Sequence, residues 1–284
     1  MAAREGDRDY VASLMDKGWE SYLEFLRVLA HSPFAADGRA VVMCDQASAE
    51  MALKSLERAA NAGINMAQYQ FGQTILIGEC SSILPKHVSE GVAWLERAAV
   101  VRPPEDAQFV RKIVLHFLGP SRSHFPNDHT TGLVISAQAM SLLGEHYSKP
   151  GECARRCLAV SWYEKSIPTY ELALKRRGDG NELLDFAEKN LKRDVEALSV
   201  VYDNHFCGRA RNPGFELDPS KATACYGKGA QLGIPFCQNM FGDAYLQGLG
   251  VQRDVNEGMK WLTRAAESGN VDAAISLAFI HFTR

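Results

Sequence analysis

The feature that most constrains this chain is that it repeats itself. Hexapeptides of one pattern begin at Ser55 (SLERAA), Trp94 (WLERAA), Trp162 (WYEKSI), Cys225 (CYGKGA) and Trp261 (WLTRAA). Each has Leu or Tyr second, a cation fourth and small residues after it. A second module precedes them: Ala67-xxx-Phe71-Gly72, Ala139-xxx-Leu143-Gly144-xx-Tyr147, Cys237-xxx-Phe241-Gly242-xx-Tyr245 and Ala273-xxx-Leu277-Ala278. From Cys237 to Ala273 is 36 residues, a period that suits stacked helix pairs rather than propeller blades or leucine-rich arrays.

The last full unit shows why the pattern is helical. Cys237, Phe241, Ala244 and Tyr245 recur at helical spacing and make one apolar stripe. Gly242 interrupts that stripe at a cost of about 1 kcal/mol relative to Ala, so a neighbouring helix is expected to approach closely there. Gly248 and Gly250 supply positive φ for the turn that follows. Asp254-Val-Asn-Glu257 has the spacing of an N-cap whose third-position carboxylate returns to the cap. Gly258, Trp261, Leu262, Ala265 and Ala266 then share one face of a second helix, which Gly269-Asn270 ends.

Taken together, Ala-xxx-Leu-Gly-xx-Tyr, Gly-x-Gly-Val, an Asp cap and Trp-Leu-x-Arg-Ala-Ala-x-x-Gly resemble the Sel-one-like repeat, a relative of the tetratricopeptide repeat. The unit Cys237–Ala273 matches almost throughout, and Ala67–Ala99 matches in both helices. Ala139–Ile167 keeps both signatures. Asp194–Ala230 keeps Leu198-Ser199-xx-Tyr202 and Asp218-xx-Lys221-Ala222, with Cys225 in place of Trp and an insertion beginning at Cys207. The resemblance implies an all-α fold, a right-handed α/α superhelix of antiparallel helix pairs.

Apolar spacing places helices near 8–31, 46–62, 65–78, 87–100, 105–118, 133–147, 153–177, 181–206, 218–232, 235–247, 254–268 and 271–283. Pro168 is expected to break or kink the seventh, and Gly119–Thr131 and Cys207–Pro219 read as the longest loops. No Gly-, Ser- or Pro-rich linker divides the chain. It reads as one solenoid over 1–284, with an irregular cap over 1–45 and five to six repeats over 46–284.

Composition narrows the function. Thirty-one Lys+Arg against 34 Asp+Glu leave a net charge of −3, so no cationic excess exists for gripping nucleic acid. No window approaches the ~18 apolar residues of a spanning helix, so direct membrane insertion is not expected. The opening MAAREGDRDY lacks the apolar core of a secretory signal. Seven scattered cysteines without such a signal favour reduced thiols and a cytoplasmic setting. They do not recur at the repeat period, unlike the disulfide-tied members of the resembled family.

Catalytic chemistry is nearly absent from the pattern. Gly248-Leu-Gly250 follows a helix and lacks a third glycine, so it is a turn and not a dinucleotide loop. His146, Cys153 and Cys157 lie close in sequence and could hold a soft metal, with a fourth ligand from His205 or Cys207; buried or ordinary thiols are the plainer account. His124 and His129 flank Asp128 in what reads as a solvated loop. Cys207 beside Arg209 and Arg211 could carry a depressed thiol pKa. No nucleophile, base and orienting group can be assembled, and no cofactor or metal is expected.

The resemblance implies instead a non-enzymatic protein–protein interaction adaptor or scaffold. The other readings are a subunit that activates a partner enzyme, or a thiol-dependent or hydrolytic enzyme on the same scaffold. In the related tetratricopeptide units the first helix of each pair lines the concave face. That register assigns Tyr69, Gln73, Ser141, Glu145, Glu196, Asn239 and Asp243 to partner contact. They form a polar to acidic set suited to basic and amide groups. The final helix carries Ala273, Ile275, Leu277, Ala278, Phe279, Ile280 and Phe282 with almost no charge. Phe279 and Ile280 therefore mark a second contact surface, or a self-association surface, at the C-terminal edge.

Overall fold

A computed structural model describes residues 17–18, 20–21, 24–25, 46–78, 87–101, 128–149, 153–175, 182–202 and 218–282. Among the described residues the fold is all-α. Its helices are α1 (Gln46–Asn61), α2 (Asn65–Ile77), α3 (Val88–Ala98), α4 (Asp128–Ser148), α5 (Cys153–Leu174), α6 (Glu182–Tyr202), α7 (Pro219–Gln231), α8 (Pro235–Gln247), α9 (Val255–Glu267) and α10 (Val271–Phe282). The helix expected over 105–118 and the Cys207–Pro219 loop up to Leu217 lie outside the described residues. So does most of the helix expected over 8–31, of which Lys17, Gly18, Glu20, Ser21, Glu24 and Phe25 are helical.

Chain contacts group into two compact units, 1–143 with 176–183, and 144–175 with 184–284. In the first unit, α1 and α2 bury Ala52, Leu56, Ala59, Ala60, Ala67, Phe71 and Ile75 around Phe25 and Trp94. Helices α2 and α3 are antiparallel: Gly72 faces Trp94 and Leu95, whereas Gly91 faces Leu76 one turn further along α2. A Cβ on either glycine would come within about 3 Å of the facing helix, so both are there for backbone proximity. Ser136 of α4 accepts from Asn65 Nδ2 (3.3 Å) and donates to the Val100 carbonyl (3.2 Å).

In the second unit the same device recurs in α8 and α9. Gly242 faces Leu262 and the Gly258 carbonyl, and Gly258 faces the Gly242 carbonyl and Leu246. The close approach expected at Gly242 is therefore present, and its partner is a second glycine. Around it Leu262, Ala265 and Ala273 form the last core cluster, flanked by Leu246, Ala266, Leu277 and Ile280. Upstream, Ser166 of α5 donates to the buried Asp194 of α6 (2.6 Å) and Tyr202 donates to Glu164 (2.7 Å). Lys228 of α7 pairs with Glu171 of α5 at 2.8 Å.

Three sequence signals acquire a physical cause. The cation at the fourth hexapeptide position stacks on the tryptophan at the first. Arg97 lies over Trp94 (4.4 Å), Lys165 over Trp162 (4.5 Å) and Arg264 over Trp261 (4.5 Å), a cation–π contact set by i,i+3 helical spacing. The glycines after α1, α7 and α9 adopt positive φ (Gly63 89°, Gly233 77°, Gly269 90°) and close the helix ends. Gly63 N donates to Ala60 O and Ile64 N to Ala59 O, a pairing repeated after α7 and α9. Gln68 and Gln238, one residue after Ala67 and Cys237, donate to the carbonyls of Ala60 and Ala230. They serve the last turns of α1 and α7, where carbonyls lack helical partners.

Four expectations are corrected. Helix α4 begins at Asp128, five residues earlier than expected, so Asp128 and His129 belong to a helix and not to a loop. Helix α5 runs unbroken through Pro168; Tyr163, Ile167, Tyr170 and Ala173 are buried on both sides of it, and their packing outweighs the lost donor. Asp254 caps α9 by accepting from Asn256 N and Glu257 N, yet the reciprocal half of the box is missing. Glu257 pairs with Lys260 (3.0 Å) and the Asp254 N–H goes to Tyr245 O. The fourth concerns two residues of the contact face and is taken up with the site.

Candidate functional site

The first-helix positions do not all reach solvent. In the first unit Tyr69 and Gln73 are half-buried on α2. Ser141 of α4, read as a non-core position, is 1% exposed; it lies between the buried Met140 and Leu143, and the broad apolar face of α4 absorbs it. In the second unit Glu145 is exposed, and Glu196 and Asp243 are half-buried. Asn239 is 6% exposed, a second departure from the expected non-core position. It shares with Asp243 one face of α8, four residues apart.

Asp243 is the electrostatically strained member of this set. Burial, and then the neighbouring carboxylate of Asp272, push its carboxyl above the ordinary value. Asp272, in the first turn of α10, was not singled out by the sequence. Capping of α10 falls to Asn270, which accepts from Ala273 N at 2.9 Å.

At the C-terminal edge the two chosen residues separate. Phe279 is 68% exposed, together with Val271, Ile275 and Phe282. Ile280 is half-buried and packs on the Leu262–Ala265–Ala273 cluster. The register explains the division. Ile275 and Phe279 of α10 stand one period after Asn239 and Asp243 of α8, so they continue the same face in apolar form.

Two of the described thiols are poorly suited to nucleophilic work. Burial pushes Cys225 up to about 11 and Cys237 up to about 12; Cys237 Sγ sits 4.0 Å from Ser199 Oγ. Cys157 is exposed and free. The side chains of Cys153 and His129, and the whole of His124, His205, Cys207, Arg209 and Arg211, lie outside the described residues. His146 packs edge-on against Tyr147 at 5.0 Å. Among the described residues no group of three His, Cys, Asp or Glu side chains is placed to hold a metal.

A shallow cleft of about 380 Å³ lies beside α7, lined by Thr223, Lys228, Gln231, Phe241 and Gly250. Two of its polar groups are engaged elsewhere. Thr223 donates to Leu249 O (2.8 Å) and Lys228 is held by Glu171. No helix among the described residues is long and apolar enough to cross a membrane.

Comparison with known proteins points the same way as the repeats. The Sel1 repeat family model matches residues 65–99, 205–234 and 235–270. A crystal structure of a Sel1 repeat protein from Oxalobacter formigenes is similar at 21% identity and TM-score 0.43, over 82% of this chain and 68% of that one. A protective antigen present in uropathogenic Escherichia coli strains, displaying an SLR fold, is similar at 18% identity and TM-score 0.29. That match covers 95% of this chain and 59% of the antigen. Among curated proteins none matches.

Proposed function

Because the chain carries three Sel1 repeats and is thereby a Sel1 repeat protein, we propose that it is a non-enzymatic adaptor that binds other proteins. Sel1 repeat proteins generally mediate protein–protein interaction. The adaptor reading takes residues 1–284 as one solenoid and assigns it to the cytoplasm. Its contacts are assigned to first-helix positions, Tyr69 and Gln73 in the first unit and Glu145, Glu196 and Asp243 in the second, and to the edge of α10.

The observation that carries this reading is the row Val271, Ile275, Phe279 and Phe282, exposed along one helix. Large apolar side chains gathered on a surface mark contact sites more often than chance exposure does. The raised thiols of Cys225 and Cys237 support the non-enzymatic half, since the thiolate is the nucleophile and little of it exists at neutral pH.

The test is affinity capture from the native cell extract with wild type beside a Phe279→Asp/Ile275→Asp variant, both checked for equal helicity and melting temperature. A protein retained by wild type and lost by the variant is the expected result. Identical retention by both, with unchanged solution mass, would overturn the role of the α10 edge; no specific protein with either would overturn the adaptor reading.

A further inference from the structure

The polar and apolar halves of the face lie in successive first helices. Asn239 and Asp243 belong to α8, and Asp272, Ile275 and Phe279 to α10, where they fall on one side at spacings of three and four residues. Both helices pack into the same terminal cluster, α8 through Leu246 and α10 through Ala273, Leu277 and Ile280.

Three features of this face call for a cation. Burial and then the Asp272 carboxylate hold the Asp243 carboxyl above its ordinary value, and neither side chain forms an ion pair among the described residues. Asp272 is released from capping because Asn270 performs it. Asn239, almost wholly buried one turn before Asp243, has an Oδ1 with no hydrogen-bond partner. Two unpaired carboxylates and an unmatched amide oxygen leave acceptors in excess on this face. A guanidinium fits it better than an ammonium, because its planar fork presents five donors and can serve a carboxylate and an amide oxygen together. Beside the cluster, Ile275 (62% exposed) and Phe279 form an apolar shelf that would cover the stem of such a side chain or an apolar neighbour.

We infer that the face formed by Asn239 and Asp243 of α8 with Asp272, Ile275 and Phe279 of α10 docks a partner-protein segment carrying an arginine beside an apolar side chain. The inference rests on the adaptor reading and names the chemistry of the partner. Charge complementarity selects the occupant: two unpaired carboxylates repel an acidic segment and reward a basic one.

The probe is an array of acetylated, amidated twelve-residue peptides in which one Arg is walked along an Ala/Ser background past a fixed Leu-Phe pair. Lys, Gln and Glu replace the Arg in parallel series. Wild-type protein is expected to bind best with Arg within one turn of the pair, less with Lys and not with Glu. Asp243→Asn and Asp272→Asn should each weaken that binding about fivefold to tenfold, and Phe279→Ser should weaken it comparably. The double variant Asp243→Lys/Asp272→Lys should turn the preference toward the Glu series. Equal binding of the Arg and Gln series, or Asn variants that bind as wild type does, would overturn the inference while leaving the adaptor reading to its own capture experiment. Absence of binding to every peptide would also overturn it.

Discussion

Replacing Gly242 with alanine tests the packing that places α8 against α9. The added Cβ would lie 2.9 Å from Leu262 Cγ, 3.0 Å from the Gly258 carbonyl oxygen and 3.1 Å from Leu262 Cδ2. One of these neighbours is backbone and cannot rotate away, so the two helices must separate. Overpacking of this kind costs about 1–3 kcal/mol, and alanine's better helix propensity returns about 1 kcal/mol. The net expectation is a loss of up to about 2 kcal/mol, with the separation propagating to Leu246 and the terminal cluster. Gly132 in α4 is the internal control, because a Cβ there meets nothing within 4 Å. Gly132→Ala is expected to stabilise by up to about 1 kcal/mol through propensity alone. Urea denaturation followed by far-ultraviolet circular dichroism would report both, alongside a Gly242→Ala/Gly258→Ala double variant. The two glycines face each other's carbonyls, so their costs are not expected to add. Gly242→Ala stabilised like Gly132→Ala would refute the close-approach account.

Further predictions concern a cap, a carboxylate and the thiols. Asp254→Ala, which removes the acceptor of two N–H groups at the start of α9, is expected to lower stability by about 1 kcal/mol in urea denaturation, whereas Asp254→Asn keeps most of it. Asp243→Asn is expected to stabilise the protein at pH 7 and to lose that advantage near pH 3. The folded carboxyl is raised above its ordinary 3.8, so the unfolded chain ionises first as pH rises. Stability then falls from the ordinary carboxylate range until the folded group has ionised too; denaturation at the two pH values checks the sign. In iodoacetamide labelling near pH 7.5, Cys157 is expected to react while Cys225 and Cys237 react only after denaturation, since burial holds their thiols near 11 and 12. Rapid labelling of Cys237 in the native protein would contradict its placement in the core.

The helix pairs were legible because repetition amplifies weak local signals. Helix α8 was read over its observed span, and the Gly242 close approach, the Asp254 cap and the turn at Gly269 all followed from residue type and spacing. What escaped was tertiary. Pro168 breaks nothing because the flanking Tyr163, Ile167 and Tyr170 are locked in the core. Glu257 has the right spacing for a capping box but finds Lys260 first. Ser141 and Asn239 occupy first-helix positions equivalent to exposed ones, and only the packing of neighbouring helices reveals them as buried. Asp272 drew no notice in the sequence, and the cap beside it belongs to Asn270. The face was therefore readable as a set of positions, but not as an acceptor cluster beside an apolar shelf.

The adaptor account is tested most directly by placing a photo-crosslinking phenylalanine analogue at position 279 and irradiating intact cells. A matched substitution at Lys260, on the exposed side of α9, serves as the reference. The account predicts a discrete covalent adduct with another protein chain from position 279, diminished when Asp243 and Asp272 are changed to asparagine, and none from position 260. Position 279 giving no adduct, or the same diffuse products as position 260, would contradict it.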